Sequence, residues 1–192
     1  MTNLIARANL SQLTIVDIQS KLSPAMPKDG MQQVIKNSAI LAQAAQILAI
    51  STIVTEQYPQ GLGETMPEII QYLIQTKPIA KMAFSACGEP KFNQQLHRDK
   101  PQIVLAGMEA HICVLQTALD LLQLNISGDG KLSKQVFVVE DAIISRNASN
   151  KANAIARMRD AGCVITNTES VVFEWLGDAS HQSFKAISQL IK

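Results

Sequence analysis

The sequence predicts an α/β protein with a six-stranded parallel sheet between two layers of helices. Short runs rich in Val, Ile and Leu alternate about six times with longer segments of helical periodicity. Parallel neighbours need a crossover connection, which a helix usually supplies, so this alternation favours a three-layer sheet covered on both faces. Hydrophobic residues make up 47% of the chain, which is enough apolar surface for a packed core.

The strands of the first half of the chain are predicted by β-branched runs, and its helices by apolar residues at steps of three and four. Pro78 ends the second helix because proline cannot continue a helix. In chain order the predicted elements are a strand over 13–19, a helix over 31–50, a strand over 51–55, a helix near 68–75 and a strand over 79–84.

The second half follows the same rules and ends in two amphipathic segments. Gly107 opens the turn after the fourth strand, and Gly162 closes a helix at its carboxyl end. The predicted elements are a helix over 90–99, a strand over 102–107, a helix over 108–122, a strand over 136–142, a helix over 148–162, a strand over 163–166 and the closing segments 169–176 and 180–191.

Length, charge and cysteine usage limit the possible functions. The chain has 192 residues without linkers or repeats, which predicts one domain over 1–192. Its formal net charge of +1 provides no electrostatic attraction for nucleic acid, so we expect no nucleic-acid partner. The longest apolar stretch is interrupted by Gln43, Gln46 and Ser51, so we expect no membrane span. The chain has three cysteines, and an odd number does not form a disulfide framework. Together with the lack of a secretion signal, this predicts a reduced, cytoplasmic protein.

The candidate functional residues lie where the predicted strands end, because ligands of such sheets bind at the carboxyl ends of the strands. Cys113 is the most informative of them, since the first turn of a helix favours a thiolate and can lower the pKa of a cysteine. A nearby carboxylate could accept the thiol proton, and a lysine could balance its charge. The reactive candidates are Asp17, Glu56, Lys81, Cys113, Glu140 and Asp141.

Several segments together resemble the isochorismatase-like cysteine hydrolase family, and most closely its isochorismatase-domain-containing branch. The signature around GMEAHICVLQTA, preceded by a strand, is specific. The family fold implies the strand order 3-2-1-4-5-6, which would place the first and fourth strands side by side. The other matching segments are LTIVDIQSKLSP, TEQYPQGLG, IAKMAFS, VFVVEDAIISR and the C-terminal AGCVITNTESVVFEWLGDASHQSFKAISQLIK.

The resemblance also implies roles for individual residues. Asp17 matches the general acid and base of the family, Lys81 its catalytic lysine and Cys113 its nucleophile. A cis peptide bond would lie between Met108 and Glu109, and the backbone N–H groups of Glu109 and Cys113 would form an oxyanion hole. The implied reaction is hydrolysis of a small amide or related acyl substrate through a thioester.

The chain departs from its relatives in ways that bear on cofactor and substrate. Nicotinamidase-type members carry metal-binding histidines after the second strand, whereas TEQYPQGLG has none, so we expect no metal and no cofactor. Retention of Cys113 argues against the vinyl ether reaction that names the family. Gln19, Gln57 and Tyr58 are expected to line the substrate pocket, and the resemblance implies a homo-oligomer. The segment IISR at 143–146 differs from the ISSR of the branch without an evident reason.

Less specific explanations remain for each signal. Cys113 in isolation would more often be a buried structural thiol, whereas Asp17 could equally be a helix-capping or loop acid and Lys81 a solvated lysine at a strand end. The competing hypothesis for the whole chain is a non-catalytic oligomeric binding or scaffold protein that kept the fold. The segment 125–136 resembles a calcium loop only in part, because Val136 stands where the bidentate Glu belongs, so we expect a lengthened surface loop there.

Overall fold

A six-stranded sheet forms the centre of the computed structural model, which describes residues 4–73, 77–124 and 134–192. The strand order is β3-β2-β1-β4-β5-β6 and every pairing is parallel, which confirms the predicted architecture and order. The strands are β1 (Ser11–Val16), β2 (Thr52–Gln57), β3 (Ile79–Lys81), β4 (Gln102–Met108), β5 (Gln135–Ile144) and β6 (Val164–Thr166).

Helices cover both faces of the sheet. Successive residues of a strand point to opposite faces, so Leu13 and Ile15 of β1 belong to one apolar cluster and Val16 to the other. Both central strands, β1 and β4, are buried along their whole length. The helices are α1 (Lys28–Ile47), α2 (Pro59–Leu62), α3 (Pro67–Ile70), α4 (Pro90–Gln95), α5 (Leu115–Gln123), α6 (Ala148–Asp160), α7 (Thr168–Leu176) and α8 (Phe184–Leu190).

Several elements differ from the prediction. The strand β3 and the helix α4 are shorter than expected, and α2 lies where no element was predicted. Three further differences concern β5, α5 and the second predicted helix. The fifth strand continues to Ile144 beyond an irregularity in its pairing with β4, so Glu140 and Asp141 lie inside the strand and do not follow it. The helix expected over 108–122 begins with a π-helical turn, Ala110–Val114, before α5. The second predicted helix is shorter, and its residues 74–76, like residues 125–133 of the expected loop, lie outside the described residues.

Close contact between β1 and β4 accounts for Gly107, which pairs with Val16. Gly107 has a φ of 136°, and a Cβ atom there would lie 2.1 Å from the carbonyl oxygen of Val16. No side chain fits at that distance from a backbone atom, so only glycine lets the ends of the two strands approach this closely. This approach brings the residues after β1 beside those after β4.

Within the described residues, none of the helices combines the length and the apolar character needed to cross a membrane.

Candidate active site

Asp17 follows the last residue of β1 and lies at the centre of the site. Its backbone is in the left-handed region, with a φ of 54°, and its N–H donates to the carbonyl oxygen of Thr55 at 3.1 Å. Non-glycine residues with positive φ occur often at functional sites because the surroundings must enforce the conformation. One carboxylate oxygen, Oδ1, accepts a hydrogen bond of 2.7 Å from Thr55 Oγ1, which fixes the direction of the carboxylate.

Lys81 is the last residue of β3 and forms an ion pair with Asp17. Its Nζ lies 2.7 Å from Asp17 Oδ2, and both side chains are fully buried. The ammonium also donates to Gln57 Oε1 at 2.5 Å and to the carbonyl oxygens of Ala83 and Phe84 at 3.2 and 3.0 Å. These oxygens compensate for the water that the buried ammonium has lost.

Cys113 lies in the π-helical turn between β4 and α5, with 6% of its surface exposed. Its side chain interacts with both Asp17 and Lys81, and Sγ is 3.9 Å from Gln57 Oε1. The sheet order therefore brings together three sequence-predicted residues from the ends of β1, β3 and β4. Cys87 interacts with the Asp120 carboxylate and with Ser85 but with no lysine, and Cys163 has no charged neighbour among the described residues.

The electrostatics of the thiol differ from the sequence prediction. A helix N-terminus was expected to lower the pKa of Cys113, but burial, followed by the Asp17 carboxylate, raises it to about 12, and Lys81 opposes the rise. Burial likewise raises the pKa of Asp17 above its ordinary value, against Lys81, Thr55 and Cys113. At neutral pH the thiol therefore keeps its proton, and a carboxylate that can accept it lies beside it.

The peptide bond between Met108 and Glu109 is cis, as the resemblance implied. Glu109 also starts the turn that carries Cys113, because its carbonyl oxygen accepts from the N–H groups of Ile112 and Val114 at 3.0 and 3.2 Å. The cis peptide and the cysteine thus belong to one short, hydrogen-bonded segment.

The three residues expected to line the pocket have different surroundings. Gln19 is fully buried; its Oε1 accepts from Gln57 N at 2.8 Å, and its Nε2 donates to the carbonyl oxygens of Gln57 and Gly63 at 3.0 and 2.6 Å. Gln19 therefore fixes the end of β2. Gln57 shares its Oε1 with Lys81 and donates from Nε2 to the Met82 carbonyl oxygen at 2.9 Å. Tyr58 is 48% exposed and is the one of the three that is open to solvent.

The other strand-end acids have structural partners. Glu56 is buried, and its Oε1 accepts from both N and Oγ1 of Thr65 at 2.7 Å. Asp141 Oδ1 accepts from N and Oγ1 of Thr168 at 2.8 Å, which anchors the start of α7. Sequence reasoning missed Thr55, whose bond to Asp17 depends on the pairing of β2 with β1; no motif in the sequence signals it.

A cavity of about 760 Å³ lies at the other edge of the sheet, where the strands begin. Gln12, Ser51 and His97 are among its lining residues. In a parallel sheet the chemistry belongs at the carboxyl ends of the strands, so this cavity is not the candidate active site. Among the residues that the structure describes, no three His, Cys, Asp or Glu side chains are grouped as a metal ion would require.

Comparison with known proteins gives matches over nearly the whole chain. The model of the Isochorismatase domain matches residues 11–170. Isochorismatase domain-containing protein 2 of Bos taurus is 36% identical over 185 residues, which cover 95% of this chain and 83% of the relative.

Solved structures also match over nearly the whole chain. The MAR1 ribonuclease of Caenorhabditis elegans has a TM-score of 0.88 and 36% identity, covering 97% of this chain and 92% of the other. The YcaC protein of Escherichia coli, described as an octameric hydrolase of unknown specificity, has a TM-score of 0.86 and 23% identity, covering 100% and 91%. At that identity the second match shows the fold alone.

Proposed function

Because the chain belongs to the isochorismatase family, which implies a hydrolase, we propose that it is a cysteine hydrolase that cleaves a small amide or related acyl compound. The reaction runs through a thioester on Cys113 and uses no metal. The observation that carries the proposal is the buried Asp17–Lys81 pair, 2.7 Å apart, in contact with the thiol of Cys113.

The first half of the reaction forms the thioester. Asp17 takes the proton of the Cys113 thiol as Sγ attacks the carbonyl carbon, because the raised pKa of the thiol rules out a standing thiolate at neutral pH. The N–H groups of Glu109 and Cys113 donate to the oxygen that becomes negative. The tetrahedral intermediate then breaks its bond to the leaving amine or alcohol, which receives the proton from Asp17.

The second half restores the enzyme. Water attacks the thioester carbon and gives a proton to Asp17, the C–S bond breaks, and the sulfur regains a proton as the acid leaves. Lys81 remains paired with Asp17 throughout and balances its charge. The raised pKa of Asp17 makes it a stronger base than an exposed carboxylate, which suits both proton transfers. Gln19 and Gln57 position these groups, and Tyr58 is the residue open to an incoming substrate.

RNA is the competing substrate, because the C. elegans relative is called a ribonuclease. We place acyl hydrolysis first for two reasons. A thiol that is 6% exposed beside a buried ion pair suits a small acyl compound better than a polyanionic strand. The formal net charge of +1 also supplies no attraction for phosphates.

Thiol labelling tests the activated cysteine. Iodoacetamide at neutral pH, read by peptide mass spectrometry, is expected to label Cys113 ahead of Cys163, which is equally buried but has no base nearby. Asp17→Asn should remove the preference because the thiol then lacks its base. Equal labelling of the two cysteines in the native protein would contradict the proposal.

A hydrolysis screen tests the reaction itself. The panel contains amides, esters, ureas and an RNA oligonucleotide, and Cys113→Ala serves as the blank. We expect turnover of an acyl compound above the blank. Turnover of RNA alone would favour the ribonuclease reading, and no turnover at all would favour the non-catalytic scaffold.

We also propose that the chain forms a homo-oligomer. Three side chains that closely follow Gln57 and Lys81 in the chain are exposed and apolar or aromatic, which is unusual for a surface that faces only water. They are Tyr58, Met82 and Phe84, with exposed fractions of 48%, 70% and 55%. Light scattering should give a mass that is a multiple of 20.9 kDa, and Phe84→Asp should lower it. A mass of one chain would contradict the proposal.

A further inference from the structure

The IISR segment at 143–146 has no part in the reaction proposed above, yet it lies against the nucleophile turn, defined here as residues 109–113. Ile143 pairs with Gly107 and Ile144 with Met108 across the parallel strands β5 and β4. The next residues of the two strands must therefore meet. Ser145 and Arg146 lie beside Glu109, which follows the cis peptide bond.

Arg146 holds the side chain of Glu109 at two points. Glu109 Oε2 accepts from Arg146 Nε at 3.0 Å and from the backbone N–H of Arg146 at 3.1 Å. The Glu109 side chain is 8% exposed, whereas that of Arg146 is 58% exposed. A nearly buried carboxylate bonded by a guanidinium and a backbone N–H has little freedom, because moving it would break both charge-assisted bonds.

Ser145 holds the turn at a second residue, His111. His111 Nδ1 is 2.9 Å from Ser145 Oγ, and Nε2 is 3.4 Å from the Nδ2 of Asn150 in α6. In the tautomer with the proton on Nδ1, the ring donates to Ser145 Oγ and accepts from the amide nitrogen of Asn150. The described contacts of His111 are thus with the β5–α6 connection and with Glu109, whose Oε2 lies 4.0 Å away, and not with Cys113.

We propose that Arg146 and Ser145 are positioning residues, which act through Glu109 and His111 to fix the direction of the Glu109 and Cys113 N–H groups. The inference rests on the proposed function, since it concerns the oxyanion hole of that reaction. Such donors must lie at about 3 Å from the developing oxyanion, and a misplacement of about 1 Å costs about a hundredfold in rate. A turn held at two points by the two residues that follow β5 meets this demand.

Two reagents distinguish a residue that positions the N–H donors from one that only stabilises the turn by packing. Acylation of Cys113 by p-nitrophenyl acetate develops an oxyanion and so needs the N–H donors, whereas alkylation by iodoacetamide is a displacement at a methylene carbon and does not. The acylation rate is read from the burst of p-nitrophenolate, and the alkylation rate from peptide mass spectrometry. Cys113→Ala gives the background of each reaction.

Arg146→Ala and Glu109→Ala are expected to slow acylation about tenfold to a hundredfold while alkylation changes by less than about twofold. Glu109→Gln, whose amide oxygen still accepts both N–H groups, should react faster than Glu109→Ala. Arg159→Ala removes an exposed arginine of α6 and controls for the loss of charge. Adding Arg146→Ala to Glu109→Ala should change the acylation rate little further, because Glu109→Ala already breaks the bond that Arg146→Ala removes.

Other outcomes overturn the inference. Equal slowing of both reactions in Arg146→Ala means that the segment only stabilises the turn, and unchanged acylation means that it does not position the donors. If the native protein is acylated no faster than Cys113→Ala, the proposed function itself fails, and the inference with it. The native measurement distinguishes this last case from the other two.

Discussion

At the scale of single residues, the buried Asp17–Lys81 pair is both the chemical centre of the site and a risk to stability. Each side chain is fully buried, so each charge depends on the other for compensation. Removing one partner of such a pair commonly costs about 3–5 kcal/mol because the other charge is left buried and uncompensated. Replacing both partners by uncharged residues costs much less.

Lys81→Met should therefore lower the free energy of unfolding by about 3–5 kcal/mol at neutral pH, whereas Asp17→Asn combined with Lys81→Met should lose clearly less. Burial already raises the pKa of Asp17, and loss of the ammonium raises it further, so the folded variant binds a proton more tightly than its unfolded chain. The defect of Lys81→Met should shrink as the pH falls. Urea unfolding at several pH values measures both effects. A double variant whose loss equals the sum of the losses in Asp17→Asn and Lys81→Met would contradict the coupling.

The three clustered residues of the candidate site could be named from the sequence, whereas their surroundings could not. The apolar runs put Asp17 and Cys113 at the ends of predicted strands and Lys81 within the predicted third strand, and the family resemblance singled out Lys81. The bond from Thr55 to Asp17 and that from Arg146 to Glu109 depend on strand register, which a single sequence does not state. The direction of the Cys113 pKa was wrong because burial and the carboxylate outweigh the helix N-terminus.

At the scale of elements, the approach of β4 to β1 decides whether the site can assemble. Gly107 allows it because a side chain there would collide with the backbone of Val16 at 2.1 Å. Gly162 also has a positive φ, of 101°, but no atom lies within 4 Å of where its Cβ would be. Gly107 is therefore required for close packing against Val16, whereas Gly162 is favoured only by its positive φ.

Gly107→Ala should either prevent folding or lower the free energy of unfolding by several kcal/mol, because two backbones must move apart. Gly162→Ala is the matched control and should cost only about 1 kcal/mol, the strain of a positive φ. Thermal and urea unfolding of both variants provides the comparison. Similar losses in the two would show that the contact with Val16 is unimportant.

The elements themselves were largely predictable, and the exceptions have physical reasons. Apolar periodicity located the helices, and Gly162 closes α6 as predicted, with a φ of 101°. The prediction ended β5 at Ala142, because the sequence pattern does not show the irregular pairing with β4 beyond which the strand continues to Ile144. The π-helical turn was missed because it spans only five residues, too few for its wider spacing to change the apolar periodicity of the segment.

At the scale of the whole molecule, buried ionisable groups make stability depend on pH above neutrality. Burial raises the pKa of Cys87 and Cys113 to about 12 and that of Cys163 to about 11, from an ordinary 9.0. Burial lowers the pKa of Lys134 to about 8 from 10.5, although its Nζ donates to the carbonyl oxygens of His97 and Lys100. These thiols and this amine affect stability in opposite directions.

Each group raises or lowers the free energy of unfolding with pH according to whether the folded or the unfolded state binds more protons. Between pH 9 and 11 the unfolded chain releases thiol protons that the folded protein keeps, so each thiol lowers stability by up to about 1.4 kcal/mol per pH unit. Lys134 acts the other way between pH 8 and 10.5, because the folded protein releases its proton first. Three thiols outweigh one amine, and the free energy of unfolding should fall above pH 9.

Cys163→Ala tests this balance away from the active site. Removing one of the three thiols should make the fall above pH 9 shallower by about 1.4 kcal/mol per pH unit, whatever packing energy the substitution costs at neutral pH. Lys134→Met should make the fall steeper up to pH 10.5, because the opposing amine is gone. Urea unfolding of the reduced protein at half-unit steps from pH 7 to 11 gives the slopes. An unchanged slope in Cys163→Ala would mean that this thiol titrates alike in the folded and unfolded states, and that its burial leaves its ionisation unaffected.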